Sequence, residues 1–222
     1  MSVILVVAPH PDDETLGCGG TLIKAIRSGA KVHWAIATSM RPEFGFAADR
    51  IAARNQEIDK VAAQYGFASV HRGEFPTTRV DTIPTVDRAQ WMGSVIAHVQ
   101  PDTLYLPHPH DVHSDHAAVF DAAAACTKAF RYPCVKRVYV YETLSETEFG
   151  LRPGIVPFQP NRFVDVTETI DQKIQIMSLY AGEMGEAPFP RSEQNMRAAA
   201  RYRGAVAGCL AAEAFMVLRE IA

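Results

Sequence analysis

Two short turns in this chain concentrate side chains that can bind a metal ion and move protons. Directly after the apolar run Val3-Ile4-Leu5-Val6-Val7-Ala8 stands His10-Pro11-Asp12-Asp13-Glu14, an imidazole beside three carboxylates. A second cluster, His113-Ser114-Asp115-His116, follows the short apolar run Thr103-Leu104-Tyr105-Leu106. Packing carboxylates together costs free energy through like-charge repulsion unless a cation or a shared proton relieves it. Hydrolytic zinc sites use three protein ligands and keep one position open. His10 and Asp13, three apart, can aim at one point from a turn, and His116 completes the set. Such a metal lowers the pKa of its water to about 7 and polarises a carbonyl. Asp12 is then placed to act as general base. His113 can stabilise an oxyanion or protonate a leaving amine. Asp115 is expected to fix the tautomer of His113 and raise its pKa. Zinc, iron(II) and cobalt all accept this donor set.

Other residues are given plainer roles. A lone HxDH is a weak signal, because surface loops often hold His and Asp; its pairing with consecutive carboxylates at a strand end is what points to chemistry. His108 and His110 are expected in a solvated loop, and His33, His71 and His98 as structural residues. Gly17-Cys18-Gly19-Gly20 lacks the spacing of a phosphate loop, so close helix–strand packing is its expected reason. The cysteines, Cys18, Cys126, Cys134 and Cys209, form no CxxC pair and read as small hydrophobes in a reducing compartment.

The elements that must position the two turns alternate. Strands are expected over Val3 to Ala8, Val32 to Thr38, Ala68 to His71, Thr103 to Pro107 and Arg137 to Glu142. Helices are expected from Thr21 to Ser28, Ala47 to Tyr65, Val86 to Val99 and Ala117 to Phe130. Gly29, Gly66 and Pro101 end three of them. This order predicts an α/β fold, a Rossmann-like three-layer α/β/α sandwich with a mostly parallel sheet. Ligands of such sheets bind at the carboxyl ends of the strands. Beyond a proline-rich stretch at 151–160 the pattern predicts a strand over Phe163 to Val166. Helices follow over Glu168 to Tyr180, Ser192 to Leu210 and Ala212 to Ile221. Gly182 to Pro190 is expected as a loop over the site.

With 222 residues, 48% of them hydrophobic and 21% charged, the composition is that of an ordinary globular protein. One domain over residues 1–222 is expected. The net charge of −3 gives no footprint for nucleic acid or an anionic membrane. The first apolar run is too short to span a bilayer and lacks signal-peptide flanks, so a cytoplasmic protein is expected.

Ala8-Pro9-His10-Pro11-Asp12-Asp13-Glu14 together with His113-Ser114-Asp115-His116 resembles the LmbE/PIG-L family of zinc-dependent N-acetyl-sugar deacetylases. The resemblance implies a metal held by His10, Asp13 and His116, Asp12 as base, and His113 with Asp115 as assistants. It implies removal of an acetyl group from an N-acetylated amino sugar, giving acetate and a free amine through a metal-bound hydroxide. It also implies a homo-oligomer, a trimer or hexamer. Arg54, in Arg54-Asn55-Gln56-Glu57, matches a family Arg-x-x-Glu pair and can bind a sugar hydroxyl or pair with Glu57. Arg191, in Pro190-Arg191-Ser192, is placed near the pocket, in its own subunit or a neighbour's. Thr38-Ser39-Met40-Arg41-Pro42-Glu43 departs from the family's Gly-Glu at that point and leaves the sugar open. Alternatives are an amidase on a larger amide such as a thiol-conjugate, a metal- or sugar-binding module without catalysis, and a non-haem iron oxygenase.

Overall fold

The computed structural model describes residues 1–151 and 153–221. Its elements are β1 (Val3–Ala8), α1 (Asp13–Arg27), β2 (Lys31–Ser39), α2 (Ala48–Tyr65), β3 (Ser69–Pro76), α3 (Thr85–Val99), β4 (Thr103–Pro107) and α4 (Ser114–Ala125). They continue with β5 (Arg137–Tyr141), β6 (Arg162–Asp165), α5 (Ile170–Met177), α6 (Glu193–Ala207) and β7 (Ala212–Glu220). The strands form one sheet in the order β3-β2-β1-β4-β5-β7-β6. The first five are parallel, and β7 runs antiparallel between β5 and β6.

β1 has to be apolar on both faces because both are covered. Ile4, Val6 and Ala8 pack with residues of α1, α2, α5 and α6, among them Leu22, Val61, Ile174 and Met196. Leu5 and Val7 pack on the other side against α3 and α4, through Met92, Ile96, Val119 and Ala123. The result is the three-layer α/β/α sandwich with a mostly parallel sheet that the alternation predicts. After β1 the chain runs outward through β2 and β3, then crosses back to place β4 on β1's other side. The gap between the carboxyl ends of β1 and β4 is therefore a topological switch point, where doubly wound sheets bind ligands. His10-Pro11-Asp12-Asp13 and His113-Ser114-Asp115-His116 flank it.

Helix α4 starts at Ser114 and not at Ala117, β3 runs on to Pro76, and two expectations change further. Helix α1 starts at Asp13 and not at Thr21, so Gly17, Gly19 and Gly20 lie inside it. The packing reason for them holds. A Cβ on Gly17 would stand 2.2 Å from the Tyr141 ring, and one on Gly20 2.8 Å from Val166. The C-terminal segment Ala212 to Ile221, expected as helix, is strand β7. Its Ala, Glu, Met, Leu and Arg residues favour a helix locally. Pairing with β5 and β6 on both sides overrides that preference.

Candidate active site

Asp13 and Glu14 open α1, where the positive end of the helix dipole favours carboxylates. Asp12 precedes it with φ 133°, a left-handed backbone that a non-glycine residue adopts at a cost of about 1–3 kcal/mol. Thr15 N and Leu16 N hold its carbonyl at 2.9 and 2.8 Å, and its own N–H donates to Glu14 Oε2 at 3.1 Å. Glu14 is fully buried, and its Oε1 accepts from Thr15 Oγ1 and from the Tyr180 hydroxyl at 2.7 Å. Burial pushes its carboxyl up to about 7.

The expected ligands converge. Asp13 Oδ2 stands 3.4 Å from both His10 Nδ1 and His116 Nε2. One ligand atom from each of the three residues lies within 4.8 Å of the others. The far nitrogen of each imidazole is held by a carboxylate: His10 Nε2 meets Asp115 Oδ2 at 2.9 Å, and His116 Nδ1 meets Asp111 Oδ2 at 2.7 Å. Carboxylates behind metal-ligating histidines fix ring orientation and raise basicity in this way. His116 Nε2 is buried, has no hydrogen-bond partner and faces Asp13. These residues fit a divalent cation.

The charges agree with that geometry. Burial disfavours the imidazolium of His10, but Asp115 and Asp13 outweigh it and push the ring up to about 9. Burial likewise works against ionised Asp13, yet His116 and His10 hold its carboxyl well below the carboxylate range. Asp12 differs. Burial and then the neighbouring Asp13 push its carboxyl well above the ordinary value.

Asp115 does not do what the sequence predicts. Its Oδ2 is 3.9 Å from His113 Nδ1 and engages His10 Nε2 and the Thr78 N–H instead, while Oδ1 accepts from Val80 N. His113 Nδ1 accepts the backbone N–H of Asp115 at 3.1 Å, so the proton of the neutral ring sits on Nε2. Burial and the charge of His10 bring His113 down to about 4, the reverse of the expected rise. His108 also departs from its expected solvated loop. It is 3% exposed, with its ring against Phe158.

A cavity of about 310 Å³ opens beside these groups. Arg54 and Arg191 both line it, and Met40 and Glu183 bring the segments around 40–46 and 182–191 to its wall. Arg54 pairs with Glu57, Nε to Oε2 at 3.2 Å, as its ion-pair reading expects, but buried and not on the surface. It also donates to Pro11 O at 3.1 Å and pairs with Glu183. Arg191 reaches the site within its own chain, with Nη1 3.1 Å from Asp12 Oδ2 and 3.2 Å from Glu183 Oε2. Sequence reasoning missed Asp111, whose place five residues before His116 in a His-rich run was an available signal. It also missed Glu183, which carried none.

A family model described as PIG-L, GlcNAc-PI de-N-acetylase, matches residues 5–127, more than half of the chain. The chain belongs to the PIG-L family. Its curated relatives include a diacetylchitobiose deacetylase of Thermococcus kodakarensis, 25% identical over 212 residues, which are 92% of this chain and 79% of that protein. Among solved structures, a conserved protein of Thermus thermophilus superposes with TM-score 0.79 at 26% identity, covering 100% of this chain and 97% of that one. GalB of Pseudomonas putida, a 4-carboxy-2-hydroxymuconate hydratase, superposes with TM-score 0.76 at 18% identity, over 100% of this chain and 98% of that one. That likeness is one of fold. A PIG-L-like scaffold thus supports more than one chemistry, and the side chains at the switch point have to decide which. No helix among the described residues is long and apolar enough to cross a membrane.

Proposed function

We propose that this chain hydrolyses the acetamide of an N-acetylated amino sugar, giving acetate and a free amine. One observation carries the reading: a converging His10/Asp13/His116 set has a further buried carboxylate, Asp12, beside it on a cavity wall. A binding module needs no such spare proton acceptor, and an iron oxygenase has no use for one. The family's description and the name of the Thermococcus relative support the same reaction.

His10, Asp13 and His116 would hold the divalent cation, zinc in this reading, with iron(II) or cobalt accepted by the same donors. When bound, the ion supplies Lewis acidity toward the amide carbonyl and acidifies a water. Asp12 takes the proton of the attacking water and returns it to the leaving nitrogen. The burial that raises its carboxyl makes it the stronger base. Arg191, in contact with Asp12 Oδ2, holds that carboxylate in place. His113 donates from Nε2 to the developing oxyanion as a neutral imidazole, which its lowered pKa favours. Asp115 and Asp111 orient the two ligating rings. Arg54 and Arg191 meet the sugar's hydroxyls. The cytoplasmic location, the single domain over residues 1–222 and the trimeric or hexameric assembly stand as parts of this proposal.

The test is free-amine release from a panel of N-acetylated sugars, free and conjugated, by zinc-loaded and by chelated protein. Metal-dependent release from at least one member is expected. Silence across the panel with metal still bound would overturn the reading in favour of a larger amide or of binding alone.

A further inference from the structure

The sheet has a second concavity at the end of the parallel strands away from the metal turns. It measures about 280 Å³ and lies between α1 and the starts of β1, β4 and β5. Its lining carries Lys24, Arg137 and Arg162 beside Glu220. Arg162, the first residue of β6, lays its guanidinium 4.6 Å from the centre of the Tyr139 ring. Its Nε is buried without a partner, and its guanidinium has no ion pair or hydrogen bond among the described residues. Lys24 donates to a carbonyl, Asp165 O at 2.8 Å, and its charge also favours the ionised Asp165 carboxylate, without a direct ion pair among the described residues. The third cation, Arg137, is taken up by Asp102 at 3.1 Å and Glu220 at 3.7 Å. On the α1 wall Thr21, 5% exposed, has a buried hydroxyl with no partner.

Buried polar groups without partners are costly, and most in native structures are satisfied by protein, water or ligand. A guanidinium fixed against an aromatic face, with its donors unused, is preorganised for a planar or tetrahedral oxyanion. The lysine adds charge, and the threonine a hydroxyl. Glu220 does not fill this role, because it is bound to Arg137 and to the Tyr139 hydroxyl, at 3.2 Å.

We infer that this pit binds a small oxyanion, a phosphate or carboxylate group on a body that fits the 280 Å³, held by Arg162 and Lys24. The site is remote from the metal turns and independent of the deacetylase reading.

The experiment is calorimetric titration of chelated protein with inorganic phosphate and with acetate. It uses wild type, Arg162→Met, Lys24→Met and His116→Ala, each first checked by its unliganded melting curve. Saturable binding is expected in wild type and His116→Ala, and at least about tenfold weaker in Arg162→Met and Lys24→Met. Tighter phosphate would identify a phosphorylated ligand, and tighter acetate a carboxylate; either supports the site. No saturable binding of either anion, binding unchanged in Arg162→Met, or binding lost in His116→Ala would overturn it.

Discussion

Asp12 and Asp13 are neighbours in sequence, and their surroundings shift their carboxyls in opposite directions. Asp13 faces two imidazoles and is held ionised, whereas Asp12 is buried beside Asp13 and is pushed toward protonation. Their different environments suit the work proposed for them, ligand for one and proton acceptor for the other. Asp12→Asn keeps the shape and the strained backbone of the turn but removes the base. Turnover is expected to fall by about 10²–10⁴-fold, with the metal content of the purified protein unchanged. Wild-type turnover in that variant would sink the assignment. At this scale the sequence was readable because both motifs are contiguous: His10, Asp13 and His116 could be picked out from spacing. The partners of those residues were not. Asp115 serves His10 across a sequence separation of 105 residues, and Arg191 meets Asp12 across 179. Contacts of that range leave no local pattern.

Helix α1 carries Asp13 and Glu14 at its start, so whatever seats α1 also seats the turn proposed to hold the metal. The seat is tight at Gly17, which lies against Tyr141 of β5, and the hydroxyl of that tyrosine donates to Val7 O of β1 at 2.8 Å. Further along, Glu213 of β7 accepts the N–H groups of Gly20 and Thr21 at 2.9 and 2.7 Å. Lys173 of α5 bonds Leu16 O at 2.8 Å and Glu213 at 2.7 Å. A methyl group at Gly17 must displace the buried tyrosine ring or lift the helix. Gly17→Ala is therefore expected to destabilise the fold by about 1–3 kcal/mol, measured from urea unfolding midpoints. It should also weaken zinc affinity in the folded protein. Unchanged values for both would show that the ring has room to move. Strands β1, β2, β4 and β5 were legible as elements because each is a largely apolar run, whereas β3, mostly polar, was expected only over Ala68 to His71 and runs from Ser69 to Pro76. Strand β7 was not legible. Its identity depends on the neighbours it inserts between, and its residues alone describe a helix.

The whole molecule is held together differently on its two sides. Along β1 the parallel strands and their helices form a continuous core, but the turn after β1 and the turn that opens α4 meet only through side chains. His116 Nε2 is buried, has no hydrogen-bond partner and faces Asp13 Oδ2 at 3.4 Å. An ion bound there would cross-link two segments about a hundred residues apart at the switch point. A ligand that binds only the folded state stabilises it by RT ln(1 + [L]/Kd), about 2.7 kcal/mol at a hundredfold excess over Kd. In a chain of 222 residues, each kcal/mol moves the melting temperature by about 2–4 °C, so chelation should lower it by about 5–10 °C. His116→Ala should melt lower than zinc-loaded wild type and ignore the chelator. Asp12→Asn should respond as wild type does, because Asp12 is proposed as the base and not as a ligand. Scanning calorimetry of the three proteins, loaded and chelated, separates the roles. A full chelation shift in His116→Ala would move the metal away from these turns, while a lost shift in Asp12→Asn would make Asp12 a ligand and leave the reaction without its base.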